Sequence, residues 1–116
     1  MLVTEYWTED IERVLRDREV RPVPPGEILG DTLEDMEILP GDFALSLEVP
    51  LAKLESILED REPITVDLAL RIGRVLGNDP EFWLNLQRKV DIWDAVYEHL
   101  NEYRRLKPLQ RAHSAA

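Results

Sequence analysis

The chain has 116 residues, 44% of them apolar and 33% charged, which is enough for one domain with a buried core. Lacking cysteine, it has no disulfide, thiolate zinc site or cysteine nucleophile, and no apolar run in it is long enough to span a membrane. A formal net charge of −10 argues against a general nucleic-acid binder, and for either a basic partner or a merely solvated acidic exterior.

In chain order, the segment Met1-Leu2-Val3-Thr4 is the only candidate strand. With no basic start and no apolar h-region, the amino terminus reads as that of a cytoplasmic protein. Thr8 caps a first predicted helix over Glu9–Glu19, with Trp7, Ile11, Val14 and Leu15 on one face. The prolines and glycine of Arg21-Pro22-Val23-Pro24-Pro25-Gly26 break that helix. A second helix begins near Pro25, with Ile28, Leu29, Leu33 and Met36 as its buried stripe. A short third follows Leu39, with Pro40 in its first turn and Phe43, Ala44 and Leu47 facing inward.

After a break at Glu48-Val49, a fourth helix spans Leu51–Asp60 and buries Leu51, Leu54, Ile57 and Leu58. Thr65 caps a fifth, Val66–Leu76, whose core face is Leu68, Ala69, Ile72, Val75 and Leu76 and whose stop is Gly77. Asp79-Pro80 opens a last helix that runs to about Leu106. Its stripe of Leu86, Val90, Trp93, Tyr97, Leu100 and Tyr103 is longer than a five-helix core covers. Either the first helix or a second protein packs there, so Trp93, Tyr97, Leu100 and Tyr103 are the candidate partner or dimer interface. Lys107–Ala116 is read as a frayed tail. The organisation expected is all-α: an N-terminal helix and linker over 1–23, a helical bundle over 24–87, and a helical extension and tail over 88–116.

No catalytic constellation emerges. His99 and His113 lack ligand spacing, Ser46, Ser56 and Ser114 lack a triad setting, and no glycine loop cradles phosphate. The expectation is a binding protein, not an enzyme, with no metal and no cofactor.

Four segments carry a family resemblance: Pro25-Gly26-Glu27-Ile28-Leu29, Ala44-Leu45-Ser46-Leu47-Glu48-Val49, Ile64-Thr65-Val66-Asp67-Leu68-Ala69-Leu70-Arg71 and Pro80-Glu81-Phe82-Trp83-Leu84-Asn85-Leu86-Gln87. Over about Pro24–Gln87 the chain resembles the HigA-type antitoxins of bacterial toxin–antitoxin modules, within the Cro/repressor-like helix-turn-helix superfamily. The resemblance implies a five-helix bundle with the extra N-terminal helix and the long C-terminal helix added. It implies neutralisation of a small, basic, ribosome-dependent mRNA-cleaving toxin, and autorepression by a homodimer on its own operator DNA. The residues that fall on the DNA-reading helix and the loop after it are Leu51, Ala52, Lys53, Glu55, Ser56 and Arg61.

The chain departs from that pattern where a duplex would dock. Leu39 and Pro40 stand where the family has hydrogen-bonding side chains, and Glu48 stands where the turn usually has glycine. From Asp31 to Glu62 there are ten acids and two bases, Lys53 and Arg61. DNA affinity rests mostly on phosphate neutralisation, so this balance favours a basic protein partner over a polyanion. The alternative reading is a protein-interaction scaffold that keeps the fold without binding DNA.

Overall fold

The computed structural model describes residues 20–109. The expected helix over Glu9–Glu19, the candidate strand near Met1 and the last residues of the tail lie outside the described part. Among the described residues the elements are five helices: α1 Pro25–Asp35, α2 Pro40–Leu47, α3 Leu51–Leu58, α4 Val66–Leu76 and α5 Pro80–Arg105. The chain divides into two compact units, one of Pro22–Val90 and one to which Arg21 and the residues from Asp91 onward belong.

In the first unit, prolines open α1, α2 and α5 in the first turn, where a missing N–H costs nothing. Thr65 opens α4 with its hydroxyl, which accepts the Leu68 amide at 3.2 Å. Gly77, in the left-handed region at φ 77°, ends α4. The core joins Leu29 and Leu33 of α1, Phe43, Ala44 and Leu47 of α2, Leu54 and Ile57 of α3, Ile64, Leu68, Ala69 and Ile72 around α4, and Trp83 of α5. α3 packs on α1 and α2, and α2 packs on α4. Two buried polar groups fix the ends of this core. The Trp83 indole donates to Asn78 Oδ1 at 3.1 Å, and the Gln87 side-chain carbonyl accepts the Ile64 amide at 2.8 Å.

Several expected core positions are exposed instead. Met36 is the C-cap of α1, where the chain leaves the helix axis. Val75 lies beside the buried track of Leu68, Ala69, Ile72 and Gly73. Leu51 faces outward at the start of α3. α3 also stops at Leu58, before the expected Asp60, because Asp60 adopts φ 59° and the Arg61 amide bonds back to the Ser56 carbonyl at 2.7 Å.

In the second unit, Val96 and Leu100 of α5 are buried, and Trp93 and Tyr97 stack at 4.9 Å and 12°. The α5 backbone departs from helical geometry at His99, φ −116° and ψ 20°. The Arg21 guanidinium donates twice to Asp94, Nε to Oδ1 at 2.8 Å and Nη2 to Oδ2 at 2.9 Å. That hydrogen bonding holds the Asp94 carboxyl below its ordinary range against the opposing effect of burial, and the Arg21 charge adds to it. The pair's stabilisation is therefore present above the ordinary carboxylate pKa and is lost as pH falls through the depressed one. Both side chains are a third or more exposed, so solvent keeps this to tenths of a kcal/mol.

Of the glycines in the bundle, Gly26 has the least room for a side chain. A Cβ there would lie 1.8 Å from the Ile57 carbonyl oxygen and 2.8 Å from its carbon. Both obstacles are backbone, so no rotamer change relieves the clash. Gly26→Ala is expected to lower stability by roughly 3 kcal/mol or more in urea denaturation, by prying α1 off α3. A variant as stable as the parent would show that α1 and α3 are not in this contact.

Candidate nucleic-acid interface

α2, a three-residue turn and α3 form a helix-turn-helix. The turn is Glu48-Val49-Pro50. The Glu48 amide bonds to Leu45 O at 3.1 Å and the Val49 amide to Ala44 O at 3.1 Å, a pattern that needs the residue between them in the left-handed region. Glu48 takes that conformation, φ 60° and ψ 44°, without being glycine. Val49 packs against the core and locks the turn. Arg71 of α4 braces it from behind: Nη1 donates to the Leu47 carbonyl at 2.9 Å while Nε holds Asp67 Oδ2 at 2.9 Å.

The same ending recurs at two other helices. Glu37 after α1 and Asp60 after α3 have φ 55° and 59°, with Ile38 N to Leu33 O at 2.8 Å and Arg61 N to Ser56 O at 2.7 Å. Three helices of this unit thus end on an acid in a conformation that disfavours a side chain. The acid also stands at the negative end of each helix dipole, where a cation is preferred. α1, α2 and α3 have no base in the last turn to offset it.

The six residues expected on the reading face come together on α3 and just beyond it. Leu51, Ala52, Glu55 and Arg61 are exposed, and Lys53 and Ser56 are half-buried. Neither cation of that face stands alone. Lys53 Nζ lies 3.8 Å from Glu62, and Arg61 is paired with Glu59 while its Nη2 reaches Ser56 Oγ at 3.4 Å. Such exposed pairs contribute at most about 1 kcal/mol each, so a stronger anion can replace the carboxylate, but the carboxylate then stays nearby. The helix starts offer little else, since neither Leu39 before α2 nor Pro50 before α3 makes a side-chain cap.

Of the second candidate set, Tyr97 is 66% exposed, Trp93 and Tyr103 are half-buried, and Leu100 is buried. Only Tyr97 therefore presents a largely open ring. The brace from Arg71 to the turn was not evident from sequence; its one signal was Asp67 four residues earlier, the spacing of a helical ion pair. Gln87 had a better signal, a polar residue one turn after Trp83 on a core-facing track.

Comparison with known proteins follows this geometry. Antitoxin HigA-1 of Vibrio cholerae is 34% identical over 96 residues, covering 82% of this chain and 90% of that protein. The chain belongs to the HigA antitoxin family. A HigA-family antidote protein from Coxiella burnetii has the same fold at TM-score 0.73 and 35% identity, covering 78% of this chain and all of that one. Pseudomonas aeruginosa antitoxin HigA, solved with the higBA promoter, matches at TM-score 0.73 and 32% identity over the same shares. No protein-family profile matches the chain.

In this HigA-family chain the turn residue offers a direct stability test. Left-handed backbone costs a side-chain-bearing residue about 1–2 kcal/mol, of which glycine's greater unfolded-state freedom returns part. Glu48→Gly should raise stability by about 0.5–1 kcal/mol, read as a higher urea midpoint at unchanged slope. A lower midpoint would mean that the Glu48 side chain makes up for its backbone.

Proposed function

We propose that the chain is the antitoxin of a toxin–antitoxin pair: a cytoplasmic, non-catalytic protein that binds a small, basic, mRNA-cleaving toxin and, as a homodimer, its own operator. The observation that carries this reading is an intact helix-turn-helix in a chain 34% identical to an antitoxin over 82% of its length. No described helix is long and apolar enough to cross a membrane, which fits that reading.

The toxin half draws on charge. Ten acids against two bases over 31–62 give this region a field that attracts a basic protein and speeds encounter. Co-expression with the product of a small basic open reading frame beside the gene should restore growth that the product alone arrests. The association rate should fall steeply between low and physiological salt. A rate indifferent to ionic strength would remove the electrostatic argument.

The operator half draws on shape. α3 is the element that enters a major groove, and two copies related by a two-fold axis would meet successive grooves. In this reading Leu51, Ala52, Lys53, Glu55, Ser56 and Arg61 face the duplex. Glu55 accepts from a cytosine amine, and Lys53 and Arg61 exchange their carboxylates for phosphate. Trp93, Tyr97, Leu100 and Tyr103 would contribute to the dimer or toxin contact.

One observation favours a second reading, a scaffold without DNA: both cations of the α3 face are already paired with acids. A fluorescence-anisotropy titration with the DNA upstream of the gene separates the two. Under the operator reading, the double substitution Glu59→Gln and Glu62→Gln tightens binding on the order of tenfold, by removing two repelled charges and freeing two cations. No binding by either protein at micromolar concentration and low salt would leave the scaffold.

A further inference from the structure

We propose that Arg104, Arg105 and Lys107 form a second nucleic-acid-binding element, separate from α3, that supplies the phosphate contacts the α3 face lacks. The inference rests on the operator-binding reading and says where the affinity for the duplex comes from.

The starting observation is how the charge is distributed. This chain carries 24 acids, yet none lies beyond Glu102, whereas Arg104, Arg105, Lys107 and Arg111 follow within a few residues. A chain of net charge −10 thus has a short stretch of the opposite sign. Clustered bases with no acid among them are the electrostatic footprint of polyanion binding.

The second observation is pairing. Among the described residues, Lys53 pairs with Glu62, Arg61 with Glu59, and Arg71 with Asp67 and the Leu47 carbonyl, while Arg74 in the last turn of α4, near the Glu48 turn, is exposed and has no such pair. Arg104, Arg105 and Lys107 are exposed and make no such pair. The two nearest acids in sequence lean on His99 instead, Glu102 at 3.1 Å from Nδ1 and Glu98 at 3.8 Å from Nε2. Phosphate therefore meets these three cations without first displacing a carboxylate, the reverse of the situation on α3.

Helix stabilisation explains part of the pattern but not all of it. Arg104 and Arg105 occupy the last turn of α5, where a cation offsets the helix dipole by about 0.3–1 kcal/mol. Lys107 lies beyond the helix end and gains little from that dipole. Leu106 and Leu109 beside it are exposed, so packing gives no reason for the basic run either.

Counterion release makes the test quantitative. Each phosphate neutralised adds about 0.9 to the slope of log affinity against log salt. The full chain and the triple variant Arg104→Gln, Arg105→Gln, Lys107→Gln would be titrated with the DNA upstream of the gene from 50 to 200 mM salt. Because the homodimer carries two copies, the variant lacks six cations; its slope is expected to be shallower by about 5.4, so over that fourfold range the parent loses on the order of 1,000-fold more affinity than the variant. A triple lysine–arginine exchange, Arg104→Lys, Arg105→Lys, Lys107→Arg, should keep the parent slope, because the effect is one of charge. Equal slopes in parent and glutamine variant would overturn this inference and leave operator binding intact. Loss of homodimer mass in the glutamine variant by sedimentation, without DNA, would also overturn it by making the segment a protein contact. No binding by the parent at any salt would overturn the operator reading and this inference together.

Discussion

The bundle depends on how closely α1 approaches the end of α3. Gly26 lies against the Ile57 carbonyl at a distance that leaves no room for a Cβ. Because the obstacle is backbone, this contact fixes the position of α3 more firmly than side-chain packing alone, which tolerates volume-conserving change. α3 carries the candidate reading face on its outer side, and its inner residues Leu54 and Ile57 are fully buried. The same helix therefore joins the core to that candidate face. A small displacement at Gly26 would disturb both.

The helix ends show a second constraint working against local stability. Glu37, Glu48 and Asp60 combine left-handed backbone with negative charge at the negative end of a helix dipole. Glycine removes the first penalty and neutral or basic residues remove the second, so Glu37 and Glu48 gain from neither. The bundle tolerates them because each end is closed by a pair of backbone hydrogen bonds, and at Glu37 and Glu48 an apolar residue, Ile38 or Val49, also packs inward. The accumulated acid gives the helix-turn-helix side of this protein a field suited to a basic protein and hostile to phosphate.

Much of the bundle was legible because its signals are local. Proline at first turns, Thr65 as a cap and Gly77 as a stop each act within a few residues, and the inward faces of α2 and α4 followed from helical spacing. The endings at Glu37 and Asp60 were not legible, since the usual signal is the glycine they lack. The last helix misled for a different reason. Its apolar residues read as one stripe, but Trp83, Gln87 and Val90 are buried in the first unit while Val96 and Leu100 are buried in the second. Two faces on one helix merge into a single period when read from sequence, which is how buried Leu100 came to be grouped with exposed Tyr97. The placement of the six candidate residues on and just after α3 was legible, but their pairing was not: Lys53 with Glu62 and Arg61 with Glu59 depend on how the chain turns after Leu58.

Two activities with opposite electrostatic demands explain why charge is segregated along this chain. A basic partner is drawn by acid, and DNA is drawn by base, so one surface cannot serve both without weakening each. The densest run of acid, ten residues over 31–62, and the acid-free basic run that follows Glu102 place the two demands on different stretches of the chain. Shape and affinity are then contributed by different residues: α3 supplies the form that fits a groove, and the basic run supplies long-range attraction that needs no register.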